Sequence, residues 1–342
     1  MHIAMKFIIL VIVLTTIFIV YNLLKTRSAI KKQAETELQK KEGFTTVDDM
    51  NQRDYPLSIQ PLQPKYSDLP LREFVVKSSY NSAHFNEDGG VDVEAISAVL
   101  KRGCRLLDFE VTSDLTTKNL TVGNIPLSTI FSRVSSQAFT TFSPSPYSPL
   151  FLHLRSSSAI NVISLLTNAF PTTLYKDTNN KAIEVTGSTK LRDIMGKVIV
   201  ISSDNTNFAN IEVNKYKGIT KLTETEFTRQ NRNKILPKGD ELSTTIDTFD
   251  MVVPDTDHTN IDSTSIFEHA YPQFILYKFY EGGNKNLDNY EDIFNDAQSS
   301  LVTISYLIGK STVDTDAIKK QERKIKSAVP SKPAAPLGNG WF

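Results

Sequence analysis

Apolar positions recur along this chain with two different periods. Between residues 71 and 310, short runs of strand length alternate with stretches in which apolar residues return every three or four positions. Glu73-Phe74-Val75-Val76-Lys77 predicts a first strand. Asp92 then caps a helix whose apolar face is Ala95, Ile96, Val99 and Leu100, and Gly103 stops it. Cys104 to Val111 predicts a second strand, Leu127 to Phe139 a helix, and Leu150 to Leu154 a third strand. Ile160 to Phe170 predicts another helix, Lys197 to Ile201 a fourth strand and Phe274 to Phe279 a late one, whereas 240 to 265 is polar and strand-poor. Strands alternating with amphipathic helices predict an α/β fold, a parallel sheet covered by helices. The stretch of about 240 residues is near the usual size of an eight-stranded β/α barrel of the TIM type.

The ends of the chain follow other patterns. Phe7 to Leu24 is a run of eighteen residues without a charge, and at ~1.5 Å per residue it reaches ~27 Å, close to the hydrocarbon thickness of a bilayer. A cleaved signal peptide has an apolar region of ~7 to 15 residues and a small-residue cleavage site, but Tyr21-Asn22-Leu23-Leu24-Lys25 follows here. Residues 1–24 are therefore expected to be an uncleaved, single-pass transmembrane anchor. Lys25, Arg27, Lys31 and Lys32 outnumber Lys6 and the amino terminus, which puts the main domain on the cytosolic side. The glycosylation sequon Asn119-Leu120-Thr121 argues the other way, but such triplets are common by chance. Residues 25–70 read as a stalk and linker, 71–310 as the barrel, and the Pro- and Ala-rich 311–342 as a disordered tail.

Composition removes several functions. Lys+Arg 38 against Asp+Glu 38 leaves a formal net charge of zero, so no bulk field draws the chain to nucleic acid. The single cysteine, Cys104, excludes an intrachain disulfide and any cysteine-based zinc site.

Phe74-Val75-Val76-Lys77-Ser78-Ser79-Tyr80-Asn81, followed by Leu100-Lys101-Arg102-Gly103-Cys104-Arg105-Leu106-Leu107-Asp108-Phe109-Glu110, resembles in order and spacing the opening of the X region of phosphoinositide-specific phospholipases C. Pro149 to Leu154 is similar to that family's third strand, and Leu191 to Ile201 to the segment closing the X region. A weaker likeness continues through Asn233-Lys234-Ile235-Leu236-Pro237-Lys238-Gly239 and Pro272 to Tyr280, which resemble the Y region. The resemblance implies a β/α barrel of the phosphodiesterase superfamily, complete or not, with its site at the C-terminal ends of the strands.

The family's chemistry needs one group to accept the inositol hydroxyl proton and another to donate to the leaving oxygen. By the resemblance, two histidines do this. Here their positions fall at Tyr80 and Gly123, a weak base and a residue with no side chain, so the machinery is degenerate. Asn81, Asp108 and Glu110 stand where the family places calcium ligands, and Arg155 stands where it has a glutamate. This metal site is expected to be vestigial and unoccupied, with no cofactor, because a guanidinium repels a cation and supplies the charge calcium would bring. The family's phosphate-binding lysines fall at Ile201 and Ser203, and its inositol-contacting arginine and tyrosine at Lys234 and Leu236. Arg155 and Lys234 are the remaining ligand-binding candidates.

His153 shares the inward face of its strand with Arg155 and is a candidate substitute base, although a histidine inside a barrel more often completes a polar layer. His84, in a polar loop, is expected to be solvated. Strand alternation predicts that Arg155 meets Asp108 or Glu110 at the barrel mouth. The function expected is a membrane-anchored, catalytically inactive phospholipase C-like barrel with a structural or binding role, a virion membrane being one setting. Its partners would be the bilayer, phosphoinositide headgroups or other membrane proteins. The alternative is an active, metal-independent phosphodiesterase in which Arg155 replaces calcium, as an arginine does in the family's bacterial members.

Overall fold

The computed structural model describes residues 46–52, 57–86, 88–113, 119–202, 206–212, 220–222, 249–254, 260, 262–267, 271–282 and 284–309. The expected anchor at 7–24, the tail 311–342, Ser203, Lys234 and Leu236 lie outside the described residues. Among the described residues no helix is long and apolar enough to cross a membrane.

The strands in chain order are β1 (Phe74–Ser79), β2 (Leu106–Glu110), β3 (Thr112–Ser113), β4 (Leu120–Val122), β5 (Ile125–Pro126) and β6 (Leu150–Arg155). They continue as β7 (Val198–Ser202), β8 (Ile211–Glu212), β9 (Thr220–Leu222), β10 (Met251–Pro254), β11 (Phe274–Tyr277) and β12 (Leu301–Thr303). The helices that concern the argument are α1 (Val47–Gln52), α2 (Val93–Lys101), α3 (Leu127–Gln137), α4 (Ile163–Ala169), α5 (Leu191–Ile194), α6 (Ser263–Phe267) and α7 (Lys285–Asp296). The apolar spacing ahead of Gly103 forms α2 as expected, and the Asp92 side chain caps it by accepting from the Glu94 N–H at 2.8 Å.

Eight strands run parallel in the order β8-β7-β6-β2-β1-β11-β10-β9. Numbered only among themselves along the chain, they stand 5-4-3-2-1-8-7-6. That is the neighbour order of an eight-stranded barrel cut between its fifth and sixth strands. The sheet also curls. Phe151 on β6 and Phe274 on β11 are three strand positions apart, about 14 Å in a flat sheet, yet their ring centroids are 5.1 Å apart across the concave face. The architecture is thus mixed α/β with a curled parallel sheet. β12 runs antiparallel to the first half of β1, and β3, β4 and β5 form a small separate antiparallel sheet.

Alternation along the strands makes two cores. Phe74, Val76, Leu106, Phe151, Ile199, Ile201, Phe274 and Leu276 point inward and pack together. Val75, Leu107, Leu152 and Val200 point outward against Ile96, Val99, Ile130, Phe131 and Leu166 of the helices. Each such side chain contributes about 1.5–3 kcal/mol by leaving water. The polar stretch 240–265 holds a strand after all: Met251-Val252-Val253-Pro254 is a four-residue apolar run buried on both faces, too short to stand out among polar neighbours. The described parts of the expected stalk lie against the folded domain, with Met50 2% and Ile59 5% exposed and the Gln60 N–H donating to the Gln298 carbonyl at 3.0 Å.

A charged cluster lies in the outer layer. Lys77 and Glu291 are fully buried and 3.1 Å apart, Arg102 pairs with the same carboxylate, and the Lys77 ammonium also donates to the Arg102 carbonyl at 2.7 Å. The ring of Phe279 lies near both cations. Glu291→Ala leaves two cations without their counter-charge in the interior and is expected to cost about 3–5 kcal/mol in urea unfolding. A loss below about 1 kcal/mol would show that water reaches this cluster.

Candidate functional site

The site is built where β1, β2 and β6 end. Asp108 and Glu110 alternate with outward Leu107 and Phe109, so both carboxylates face the concave side of the sheet, as do His153 and Arg155 on the neighbouring strand. Parallel register places Asp108 opposite His153 and Glu110 opposite Arg155. Asp108 is fully buried, whereas Glu110 reaches solvent at the rim.

Arg155 binds everything around it. Its Nε donates to Asp108 Oδ1 at 2.9 Å and its Nη2 to Asp108 Oδ2 at 3.0 Å, a bidentate fork. Nη2 also donates to Asn81 Oδ1 at 2.5 Å, and Nη1 to Glu110 Oε2 at 3.3 Å. Beneath the guanidinium lies the Tyr80 ring, 4.8 Å from its carbon to the centroid. Asn81, at φ +42°, turns the chain out of β1 so that its own N–H donates to Asp108 Oδ2 at 2.9 Å. His153 Nδ1 stands 2.8 Å from Asp108 Oδ1 but off the line a hydrogen bond needs, so that contact is a close electrostatic one.

Titration follows from this packing. Burial alone would raise the Asp108 carboxyl, but the Arg155 guanidinium and His153 outweigh it and hold the group well below the usual carboxylate range. Burial likewise works against the Arg155 charge, and Asp108 more than restores it. Burial raises the Tyr80 phenol above its ordinary value, with Arg155 offsetting only part of the rise. A phenol that holds its proton this firmly is no base at neutral pH.

The second expected catalytic position is closed to a histidine by backbone geometry. Gly123 sits in the turn between β4 and β5 at φ +56°, and a Cβ there would stand 2.7 Å from Val91 Cγ2. Ile201, at an expected phosphate-binding position, is an apolar filler of the inner core. Lys234, Leu236 and Ser203 lie outside the described residues. His84 differs from its expected solvated state. It is half-buried, bridges to Val91, and its ring centroid lies 5.8 Å from that of Tyr280, because the loop after β1 folds back over the mouth. Burial lowers its pKa from the ordinary value. Tyr280, which reaches Asn81, was not singled out by sequence, although it follows the C-terminal end of β11, where barrel sites gather.

These residues do not fit calcium. Both Asp108 oxygens, Asn81 Oδ1 and one Glu110 oxygen already face a guanidinium, which a metal ion would have to expel. Among the described residues no group of three or more His, Cys, Asp or Glu is placed to hold a metal.

Two stability predictions follow. Arg155→Ala leaves a buried carboxylate without its cation and is expected to cost about 3 kcal/mol, whereas Glu110→Gln at the rim should cost less than about 1 kcal/mol. Equal losses in urea unfolding would contradict this ranking. The pH dependence has a fixed sign. His84 has a lowered folded pKa, so it weakens the fold as pH falls below ~6.5, and Asp108 adds a further loss only below ~4. His84→Gln should remove the first loss and leave the second.

The chain is similar to known proteins over part of its length. Residues 67–204 match the family described as phosphatidylinositol-specific phospholipase C, X domain. Among solved structures, the crystal structure of S. officinalis PLC21 is 14% identical and has a TM-score of 0.49, covering 69% of this chain and 37% of that one. L. pealei PLC21 is 13% identical with a TM-score of 0.44, covering 71% of this chain and 39% of that one. An apo form of the calcium-dependent phosphoinositol-specific phospholipase C from Pseudomonas sp is 11% identical with a TM-score of 0.41, covering 66% of this chain and 96% of that one. The chain thus spans well under half the length of the two PLC21 structures. No curated protein matches the sequence. The match over residues 67–204 bears out the likeness to the X region of phosphatidylinositol-specific phospholipases C that their strand motifs carry.

Proposed function

We propose that this chain is a phospholipase C-like β/α barrel that no longer cleaves phosphodiesters and serves as a binding or structural module, tethered to a bilayer by residues 7–24. The observation that carries the reading is the saturation of Arg155 by Asp108, Asn81 and Glu110. An arginine engaged in this way neutralises the carboxylates internally and has little charge left for a phosphate. Tyr80 and Gly123 offer no acid-base pair, and general acid-base catalysis alone is worth about 10²–10⁴ in rate. The order of the eight parallel strands supports the barrel, and the uncharged run at 7–24 with its basic distal flank supports an anchor with the barrel on the cytosolic side. A virion membrane is a setting compatible with a barrel so reduced.

One observation favours a second reading. His153 touches Asp108 at 2.8 Å, and a histidine beside a buried carboxylate next to an arginine could take a proton from a ligand hydroxyl without any metal. Turnover of phosphatidylinositol and its phosphorylated forms by the full-length chain in mixed micelles, with and without chelator, separates the two. The proposal expects no product above the enzyme-free blank. Chelator-resistant turnover abolished by His153→Ala would reject it in favour of the enzyme.

A further inference from the structure

Helix α2 is covered on the side where an outer helix of such a fold usually meets water. At about 100° per residue, Ala95, Ile96, Val99 and Leu100 face the sheet, and Glu94, Ser97, Ala98 and Lys101 face away from it. Ser97 and Ala98 are nevertheless 4% and 2% exposed. The neighbouring helix α3 shows the ordinary case, with Ser128, Thr129, Ser132 and Ser136 exposed on its outer face. The segment packed on α2 is the one that the sequence suggests as a stalk. Thr46 and Asp49 cap the first turn of α1 reciprocally, backbone N–H to side chain at 3.0 and 3.2 Å. That helix packs against α2 with Met50 buried and Val47 partly so. Ile59 sits at the foot of α2, where a Cβ on Gly103 would stand 2.6 Å from Ile59 Cδ1, so the bare glycine is its seat. Ser58 bonds to Asn295, and the Gln60 N–H to the Gln298 carbonyl, at the end of α7.

The other end of α2 carries the loop over the mouth. Asp92, the cap of the helix, donates its N–H to the Ala83 carbonyl at 2.9 Å, and Val91 bridges to His84. Between them the Phe85 N–H donates to the Gly90 carbonyl at 3.0 Å. The far end of this loop is held by the site itself. The Asn81 N–H donates to Asp108 Oδ2 and the Ser82 N–H to the Asp108 carbonyl, while Asn81 Oδ1 accepts from Arg155. One helix of 9 residues therefore joins the segment at 46–60 to the groups that saturate Arg155. The covered state also carries a defect. The Ser97 hydroxyl is buried with no partner, although water would supply one to a bare helix, so the cover is held less firmly than its buried side chains alone imply.

We infer that the two pieces 46–52 and 57–60 form a releasable strap that keeps the mouth closed through α2. While the strap lies on the helix, the loop after β1 stays bound to Asp108. When it lifts, α2 is free to shift and the loop loosens with it. Arg155 then loses Asn81 and gains an N–H for an anionic ligand from solution. The coupling runs through contiguous contacts between two discrete states, strap on and strap off. Whatever engages the chain ahead of Thr46 therefore acts on the mouth. This coupling holds whether or not the barrel cleaves phosphodiesters, and it needs no membrane.

The test follows amide hydrogen exchange in the full chain, in detergent, by mass spectrometry. Met50→Ser with Ile59→Ser lifts the strap, and Met50→Leu with Ile59→Val is the conservative control. Exchange at 82–86 and 88–92 is expected to rise roughly tenfold in the serine pair, with 198–202 on β7 unchanged and the conservative pair close to the unaltered protein. A rise spread evenly over the whole domain would be a loss of stability alone and overturns the coupling. A rise confined to the strap, or no rise anywhere, overturns it as well. If the serine pair does not fold by circular dichroism, the unaltered protein decides. In stepwise urea below its unfolding transition, the strap and the loop after β1 should open together and ahead of β7. A loop that opens only with β7 rejects the strap as its latch.

Discussion

A carboxylate with no exposed surface, on the inner wall of a parallel sheet, must find a cation or give up its charge. Asp108 finds Arg155, and much of the mouth hangs on that pair. The fork fixes the guanidinium over Tyr80 and presents its remaining N–H groups to Asn81 and Glu110. The second Asp108 oxygen takes the Asn81 N–H, and the Asp108 carbonyl takes the Ser82 N–H, so the loop after β1 is tied to β2 by the same residue. One ion pair thus sets the relative position of three strand ends. The result is a site in which Asp108, Glu110 and Asn81 all meet the Arg155 guanidinium.

The two ends of the curled sheet differ in the side chains they bring inward. At the mouth, inward positions that are apolar lower down give way to Asp108, His153, Arg155 and Glu110. At the other end the interior is closed by Val185, Leu191, Ile194 and Leu71. The same alternation that builds the inner core therefore delivers the polar residues to one rim, because a strand whose first inward residue is Phe151 and that points every second residue inward arrives at Arg155.

Much of this was legible in the sequence. The strands at LLDFE and LFLHLR carry apolar residues on the outward face and alternate inward from apolar to polar, so Asp108, Glu110, His153 and Arg155 could be set on one face before any coordinates. What escaped has a physical reason in each case. β8 and β9 are two and three residues long, below the length at which a period can be counted, and Met251 to Pro254 is an isolated run. His84 and Tyr280 come together only through the fold, from loops far apart in the chain, and no spacing announces such a meeting. Gly123 was legible as a lost side chain but not as a backbone committed to glycine by φ and by Val91.

The central claim is that a protein cation holds the place where a metal would otherwise neutralise Asp108 and Glu110 and take Asn81 Oδ1 as a ligand. Isothermal titration of calcium into the full chain, beside Arg155→Glu, tests it most directly. The account predicts no heat of binding in the unaltered protein and measurable binding once the guanidinium is replaced by a carboxylate, provided the variant keeps its fold by circular dichroism. Micromolar calcium affinity in the unaltered protein would contradict it.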